Sequence, residues 1–317
     1  MMQFHKQAAL VIQEVGKAVY GKDECLAKIM TAILAGGHIL IEDIPGVGKT
    51  TIALSFSRAM ALEQHRMQFT PDVLPADIVG FSMYNKESKT FVYQPGAIMC
   101  NFFLADEINR ASAKTQSAFL EVMEEKTVTI DGVTRPLPQP FIVMATQNPI
   151  GSAGTQLLPE SQLDRFMLCL SIGYPNMENE IEIVKQRSYH EPADLVSQVI
   201  DDQMLIAMKK EVENIFIHDE IYRYMGRLVE STRNHALIEL GVSPRGTIAI
   251  AKMARARAFL MGREYVLPED VVYVIPGTIT HRLRLHPKAR VNQMTKEMVT
   301  SQILDTAAPP TVRRSKR

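Results

Sequence analysis

Residues 43–50 place glycines, a lysine and a hydroxyl between an apolar, strand-like run and a helical pattern; they read Asp-Ile-Pro-Gly-Val-Gly-Lys-Thr. Phosphate oxygens need converging backbone N–H groups at a helix N-terminus, a close backbone approach and a positive charge. Gly46, Gly48 and Lys49 supply these, and Thr50 adds a hydroxyl for a magnesium ion between the terminal phosphates. The pattern predicts a nucleotide-phosphate site whose binding residues are Asp43, Ile44, Pro45, Gly46, Val47, Gly48, Lys49, Thr50 and Thr51.

The first position of this loop departs from the usual Gly-x-x-x-x-Gly-Lys-Thr pattern. Asp43 stands where a glycine is usual. Because aspartate tolerates left-handed backbone better than most residues, we expect the turn to survive the change. The alternative is a glycine-rich turn with an incidental lysine, and the strand–loop–helix context disfavours it.

Two adjacent carboxylates, Asp106 and Glu107, follow the apolar run 102–105. Two acids at the end of a buried strand are typical of a metal–nucleotide site. Asp106 can hold magnesium through its water, and Glu107 can polarise the attacking water. Many strands end in acids at a sheet edge, so the pair alone is a weak signal. In combination with the Lys49 loop, it predicts nucleotide hydrolysis.

Asn148 follows a third apolar run, Phe141–Ala145. Its amide would reach the crevice at the carboxyl ends of the strands, where it could orient water or contact a γ-phosphate without adding charge. The following proline leaves a plain Asn-Pro turn as an equal alternative when this segment is considered alone.

Two arginines complete the candidate set, because a guanidinium can neutralise charge on a transferring phosphoryl group. Arg165 precedes the last strand-like run, and Arg245 lies at the start of a helix whose first turn holds Pro244. Each has a structural alternative. Arg165 could pair with Asp164 or Glu160, and Arg245 could be a solvated surface residue.

Five short apolar runs are typical of buried strands, and helical patterns alternate with them, which predicts an α/β fold with a parallel sheet and crossover helices. The predicted strands are His38–Ile41, Arg66–Phe69, Phe102–Ala105, Phe141–Ala145 and Met167–Ile172. The predicted helices of this half are Phe4–Val19, Glu24–Leu34 and Thr50–Leu62.

Two segments interrupt the predicted core. The turn-rich stretch Pro71–Gly96 reads as an excursion from the sheet, and Lys126–Arg135 reads as a hairpin around Asp131-Gly132. From residue 176 onward the strand pattern stops, so we assign 1–175 to the nucleotide-binding core, 176–306 to an all-helical domain and 307–317 to a solvated basic tail. The predicted helices there are Met177–Arg187, Asp202–Ile215, Asp219–Thr232, Pro244–Met261 and Pro268–Arg284.

Composition narrows the possible partners. Among 317 residues, 35 Lys+Arg balance 35 Asp+Glu, so nucleic acid is an unfavoured partner. No apolar run reaches membrane-spanning length, which argues against membrane insertion. The three cysteines lie far apart in the sequence, which favours buried, reduced thiols and a cytoplasmic location.

Together these residues resemble the AAA+ ATPases, and specifically the MoxR family. The similarity extends from about Val15 to Arg284. Its glycine-rich loop has the Glu-Asp-x-Pro-Gly-x-Gly-Lys-Thr form that is familiar in MoxR-like proteins, so Asp43 casts little doubt on nucleotide binding. The runs that carry the resemblance are Glu42–Thr50, Leu104–Ala111, Ala145–Pro149, Leu158–Phe166 and Ser243–Arg245.

The resemblance implies a five-stranded αβα core, an all-helical lid, bound ATP and Mg²⁺, and a homo-oligomeric, commonly hexameric ring. It makes Phe81–Tyr93 the helix-2 insert and Val128–Val133 the hairpin before sensor 1. It also makes Arg245, on the lid, a residue of its own chain's nucleotide site. The implied roles are Lys49 as Walker A lysine, Asp106 and Glu107 as Walker B acids, Asn148 as sensor 1, Arg165 as arginine finger and Arg245 as sensor 2.

The function these observations favour is ATP hydrolysis that drives the rearrangement of another protein. The client follows from the resemblance alone, which implies maturation of protein complexes or metal-cofactor enzymes and a partner with a von Willebrand A-type domain. One alternative is a DNA helicase or loader, disfavoured by the balanced charge and the missing zinc-ligand pattern. The other is a nucleotide-gated scaffold without turnover, disfavoured by Glu107 and Arg165.

Overall fold

A parallel sheet forms the centre of the protein. A computed structural model of the chain describes residues 4–44, 46–148, 158–187 and 191–310. The strands in these ranges are β1 (Ile39–Glu42), β2 (Gln64–Gln68), β3 (Gly80–Asn85), β4 (Thr90–Pro95), β5 (Phe102–Asp106), β6 (Thr127–Ile130), β7 (Val133–Pro136), β8 (Ile142–Gln147), β9 (Leu168–Leu170), β10 (Ile238–Leu240) and β11 (Arg284–Leu285).

Helices surround this sheet and form most of the second half of the chain. Short 3₁₀ turns cover Ile108–Arg110, Pro192–Leu195 and Thr280–Arg282. The α-helices are α1 (His5–Gly16), α2 (Asp23–Leu34), α3 (Lys49–Ala59), α4 (Pro75–Val79), α5 (Ala113–Glu125), α6 (Glu160–Leu163), α7 (Met177–Arg187), α8 (Asp202–Glu213), α9 (Asp219–Arg233), α10 (Pro244–Leu260), α11 (Pro268–Ile279), α12 (Pro287–Val291) and α13 (Lys296–Thr306).

The central sheet has the order β2-β5-β8-β1-β9, and its paired strands are parallel. Every residue of β5 and β8 is buried, because helices cover both faces. The prediction of a five-stranded parallel α/β core is therefore confirmed.

Strand register brings the candidate chemical residues to one edge of the sheet. Glu42 pairs with Gln147, and Gln68 pairs with Asp106, so the strands end at a common level. We call this the carboxyl edge. The opposite, amino edge contains His38 and the starts of β5, β8 and β9.

His38 ties three segments together at the amino edge. The Val143 N–H donates to its Nδ1 over 3.0 Å, and its Nε2 lies 3.1 Å from the carbonyl of Met123, near the end of α5. The Met167 N–H donates to the His38 carbonyl over 2.9 Å. Burial lowers the pKa of His38 to about 4, so the ring is neutral, with Nε2–H as the donor to Met123. The last turn of α5 is thus fixed at the amino edge.

Apolar residues form two cores, one on each face of the sheet. One face packs against α1, α2 and α3, and this core continues without a break into α8–α11. The other face packs against α5 and the base of the β3–β4 hairpin, with Phe69, Phe103 and Phe119 among its large side chains. The helical half of the chain therefore shares its core with the sheet.

Both predicted interruptions are antiparallel hairpins. β6 and β7 pair around Asp131 and Gly132, whose φ angles of 53° and 74° are those of the predicted tight turn. The pair β3–β4 forms the excursion between β2 and β5. Neither hairpin belongs to the central sheet.

Several elements differ from the predictions, among them the following. The sequence pattern predicted no element for residues 113–125, which form α5, capped by the Ser112 hydroxyl. The predicted helix Pro268–Arg284 ends at Ile279 and continues as a 3₁₀ turn, in which Arg282 binds Asp164. β10 and β11 add a short antiparallel ladder to the otherwise helical second half. Within the described ranges, no helix is long and apolar enough to cross a membrane.

Candidate nucleotide-binding and hydrolysis site

The glycine-rich loop connects β1 to α3 at the carboxyl edge. Gly46 and Gly48 have φ angles of 87° and 92°, which glycine adopts without strain. Gly48 is the N-cap residue of α3, so the unpaired N–H groups of the first helical turn face the loop. Thr50 and Thr51 follow in that turn, and Pro45 lies outside the described residues. This is the geometry of an anion-binding loop.

Asp43 braces the loop against the end of β9. Its Oδ2 accepts hydrogen bonds from the N–H groups of Ile172 and Gly173, both at 2.7 Å, and from the Ser171 hydroxyl at 3.0 Å. Burial by itself would raise the pKa of this carboxyl, but these bonds and one from the Ile44 N–H together lower it. The φ of Asp43 is not positive, so the turn does not use the left-handed backbone that aspartate tolerates. Its carboxylate contacts residues at the end of β9, and the assignment of Asp43 to the phosphate-binding loop stays a prediction.

Lys49 lies inside the loop and is only 9% exposed. Its Nζ donates to the Asp43 carbonyl over 2.6 Å. Burial lowers the pKa of the ammonium, and the charges of Asp106 and Glu107 act in the opposite direction, together with that of Asp43. The acidic surroundings thus help to keep a buried cation at the place where phosphates would bind.

Asp106 ends β5 as a buried carboxylate. Its Oδ1 accepts from the Thr146 hydroxyl at 3.3 Å, and its Oδ2 accepts from Arg66 Nε at 2.7 Å. Magnesium prefers oxygen ligands, and beside a nucleotide it is usually held by one or two protein groups plus phosphates and waters. The Asp106 carboxylate and the Thr50 hydroxyl fit that requirement. In the part of the chain that the structure describes, no cluster of three His, Cys, Asp or Glu side chains forms another metal site.

Glu107 is held from both sides. Its Oε1 accepts from Asn148 Nδ2 at 3.0 Å, and its Oε2 accepts from Arg110 Nη1 at 3.0 Å. Burial opposes ionisation, but these bonds and the Arg110 charge lower the pKa, so the carboxylate is ionised at neutral pH. Its φ of 56° is uncommon outside glycine and is typical of functional positions.

Asn148 is positioned through its own backbone. The Asn109 side chain donates to the Asn148 carbonyl at 3.3 Å and accepts from its N–H at 3.4 Å. The Thr146 hydroxyl also accepts from the Glu107 N–H at 2.9 Å. The structure therefore brings Asp106, Glu107 and Asn148 together, as their positions at strand ends predicted.

Sequence reasoning missed the residues that position this group, namely Thr146, Asn109 and Arg110. All three lie within the motif runs that carried the family resemblance, so their proximity in sequence to the assigned residues was the available signal. The contacts of Thr146 and Asn109 depend on how β5 and β8 are paired, which the motifs do not specify, whereas Arg110 binds Glu107 within one segment.

A cavity of about 510 Å³ adjoins the loop and has a largely apolar lining. Gly46, Gly48 and Thr51 line one side, and Val19 and Tyr174 are among the residues opposite. Its shape and lining suit a nucleobase and ribose next to the phosphates. The sequence signal for it was the Gly-Tyr-Pro turn at residues 173–175, which by itself indicated only a domain boundary.

Arg165 and Arg245 lie elsewhere, and both contact Glu124. Arg165 Nε donates to Glu124 Oε2 over 2.9 Å, and Arg245 Nη2 donates to Glu124 Oε1. Glu124 follows Met123, which His38 holds at the amino edge. The first and last residues of β1 are about 10 Å apart along the strand, which separates the two edges. In this arrangement the side chain of Arg245 pairs with Glu124, and the role of Arg245 in its own chain's nucleotide site stays a prediction.

The sequence left open whether Arg165 pairs with Asp164 or Glu160 and whether Arg245 is a solvated surface residue. Asp164 pairs with Arg282 Nε at 2.6 Å and not with Arg165. Glu160 pairs with Arg284 at 3.3 Å. Arg245 is 45% exposed at its side chain, so it is partly solvated and also ion-paired.

Comparisons with known proteins place this geometry in context. A family model described as the ATPase family associated with various cellular activities (AAA) matches residues 38–168, and an AAA lid domain model matches residues 230–303. The chaperone MoxR1 of Mycobacterium tuberculosis is 39% identical over 310 residues, which cover 95% of this chain and 82% of that protein. The uncharacterized protein YeaC of Bacillus subtilis is 42% identical over 313 residues, covering 99% and 98%.

A solved structure agrees with the sequence comparisons. The crystal structure of an ATPase candidate from Cytophaga hutchinsonii superposes with a TM-score of 0.89 at 36% identity and covers 97% of this chain and 96% of that one. The predicted resemblance and the predicted core-plus-lid fold are both confirmed. This chain is a member of the MoxR family of AAA+ ATPases, a chaperone-like branch of these enzymes.

Proposed function

We propose that this protein hydrolyses ATP to ADP and phosphate with Mg²⁺ and uses the turnover to remodel or mature other proteins, either complexes or metal-cofactor enzymes. The observation that carries the proposal is the Glu107–Asn148 pair, which lies at the carboxyl edge where the Lys49 loop also ends. A scaffold that only binds nucleotide would need the loop but not an ionised, positioned carboxylate.

Each residue of the site has a distinct task. The N–H groups at the start of α3 and the Lys49 ammonium bind the phosphates. Thr50 and Asp106 would hold Mg²⁺, which when bound offsets charge on the β- and γ-phosphates. Glu107 accepts a proton from water as the water oxygen attacks the γ-phosphorus and the bond to the leaving ADP breaks. Asn148 keeps that carboxylate and the water in position.

We further propose a homo-oligomeric ring, most simply a hexamer. Arg165 and Arg245 both pair with Glu124 near the amino edge, whereas their own glycine-rich loop starts at the carboxyl edge, and both side chains are partly exposed. A head-to-tail arrangement would bring this edge against the carboxyl edge of a neighbour, where the two guanidiniums could neutralise charge on its nucleotide.

The cysteines fit a cytoplasmic location, which we also propose. Cys25, Cys100 and Cys169 are free thiols. Burial raises the pKa of Cys25 to about 11 and that of Cys100 to about 12, so both stay protonated and unreactive. The fold thus has no need of an oxidising compartment.

Turnover should require both nucleotide and metal. We expect the purified chain to release phosphate from ATP in Mg²⁺ and to lose at least about 90% of that rate when the metal is chelated, because the phosphate charge is then uncompensated. The measurement is steady-state phosphate release before chelation, after it, and after Mg²⁺ is restored. Full activity in excess chelator would contradict the roles of Thr50 and Asp106.

The two hairpins are the proposed client-facing parts. In β3–β4, Phe81 and Tyr84 are 50% exposed and Phe91 is 73% exposed, and the Tyr84 and Phe91 rings pack 5.5 Å apart. Tyr93 instead packs inward, with its hydroxyl bonded to the Val79 carbonyl. Exposed aromatic rings on a rigid hairpin suit contact with a protein. By family resemblance, the partner we propose has a von Willebrand A-type domain.

Replacing Met83–Lys89 with a short Gly/Ser loop should separate basal ATP hydrolysis from its stimulation by a partner protein. We expect basal ATP hydrolysis to stay within about threefold of wild type, because the segment lies outside the central sheet. Stimulation by a von Willebrand A-domain partner should disappear. A matched control replaces only residues 86–89 and keeps Met83 and Tyr84. If stimulation survives the full replacement, clients bind elsewhere; if a folded variant loses basal turnover, the hairpin belongs to the hydrolytic machinery.

A further inference from the structure

We propose that Glu124 is a positioning residue that holds Arg165 and Arg245, which we call the arginine pair, as one unit for the neighbouring copy's nucleotide. The proposal rests on the proposed ATP hydrolysis in a ring. Its basis is that the two carboxylate oxygens are divided between the two guanidiniums, with Arg165 on Oε2 at 2.9 Å and Arg245 on Oε1.

The charges explain why the pair needs such a residue. Two guanidiniums that both aim at one phosphoryl group repel each other, and the repulsion is strong where little water intervenes. A carboxylate between them offsets this repulsion through charge-assisted hydrogen bonds of fixed direction. The unit keeps a net positive charge, so it still attracts a phosphate.

Contacts with neighbouring residues hold Glu124 and the arginine pair in position. Glu124 follows Met123, which His38 holds to the amino edge. Asp164, next to Arg165, accepts from the Ser243 hydroxyl at 2.8 Å and from Arg282 Nε at 2.6 Å. Ser243 is the N-cap of α10, the helix that carries Arg245. The backbones of both arginines are thus tied to Asp164, and their side chains meet at Glu124.

Glu124 therefore connects the two halves of the chain at a functional point. Arg165 belongs to the segment that leads into the sheet, and Arg245 belongs to the helical lid. A lid that moved would pull Arg245 away from Glu124 and break the unit.

Stability does not account for the arrangement. The side chains of Glu124 and Arg245 are 38% and 45% exposed, and ion pairs this exposed contribute little to folding. Removing the carboxylate should leave the protein folded and assembled. Its effect should then appear in catalysis.

The test compares Glu124→Gln and Glu124→Ala with Glu125→Gln, a matched change at the next, exposed residue of α5. We expect both Glu124 variants to lower kcat about 10- to 100-fold with little change in KM for ATP, because their own glycine-rich loops are intact. Glu125→Gln should keep the wild-type rate. Mixing Glu124→Ala with Lys49→Ala subunits should restore activity, since the second variant supplies an intact arginine pair to the first one's nucleotide.

Three results would overturn the proposal. An unchanged kcat in Glu124→Ala shows that the arginine pair needs no carboxylate, and an increased kcat shows that Glu124 restrains the pair. Failure of the Glu124→Ala and Lys49→Ala mixture to recover, when the same mixture made with Arg165→Ala does recover, places the effect of Glu124 within its own subunit. A different result would contradict the proposed action of the arginine pair on the neighbouring copy's nucleotide. That result is hydrolysis of ATP by Arg165→Ala rings at the wild-type rate.

Discussion

A Glu107→Gln variant should bind ATP as well as the wild type and hydrolyse it about 100- to 1,000-fold more slowly. Glu107 is ionised, and Asn148 and Arg110 hold it at the carboxyl edge. An amide keeps its shape but cannot accept the proton of the attacking water. Lys49→Ala should lose binding instead, because Lys49 is the cation within the loop and contacts the phosphates of the ground state.

The two variants are distinguished by measuring equilibrium nucleotide binding and steady-state phosphate release on the same preparations. Glu125→Gln serves as the control for loss of a carboxylate outside the site. Hydrolysis by Glu107→Gln at the wild-type rate would remove Glu107 from the reaction. Tight binding by Lys49→Ala would show that the backbone N–H groups of the loop are enough to hold the phosphates.

An Arg165→Ala ring should be nearly inactive and should regain activity when mixed with Lys49→Ala subunits. Arg165 pairs with Glu124 near the amino edge, and in the proposed ring it completes a neighbour's site. In a random 1:1 mixture, about one interface in four joins an intact nucleotide site to an intact arginine pair. We therefore expect about a quarter of the wild-type rate.

Arg245→Ala should be complemented in the same way, because Arg245 shares Glu124 with Arg165. The test measures phosphate release in mixtures of verified composition. The control is a mixture of Arg165→Ala and Arg245→Ala subunits. The control should stay inactive, since neither subunit supplies a complete pair. Recovery by that control, or no recovery with Lys49→Ala, would show that the arginines do not act across the interface as one unit.

Most of the hydrolytic site was predictable because its residues lie at the ends of strands. Parallel strands place their carboxyl ends at one edge, so Asp106, Glu107 and Asn148 had to meet there once three strands were identified. The loop from Gly46 to Thr50 was predictable for a similar reason, since glycines and a helix start dictate its local geometry. The turn at Asp131 and Gly132 was also predictable, because its residue types dictate its local geometry.

The positions of Arg165 and Arg245 were not predictable in this way. Each is a single side chain in a segment without a diagnostic backbone, and its partner depends on packing between distant parts of the chain. Glu124 lies 121 residues from Arg245 in sequence and on a helix that the sequence pattern did not predict. The lid was recognised from its helical periodicity, but periodicity contains no information about which edge of the sheet a lid covers.

Asp43 shows the same division within one motif. Its place in the glycine-rich loop was evident from the sequence, and that placement suggested a turn residue or a phosphate contact. Only the pairing of β1 with β9 brought Ile172 and Gly173 close enough to take its carboxylate. By itself, the sequence determined the fold class, the family and the candidate residues for the chemical step, because local spacing and strand direction encode them. Tertiary structure decided which side chains hold those residues in position and at which edge of the sheet the arginines lie. Such contacts arise only when distant segments pack together.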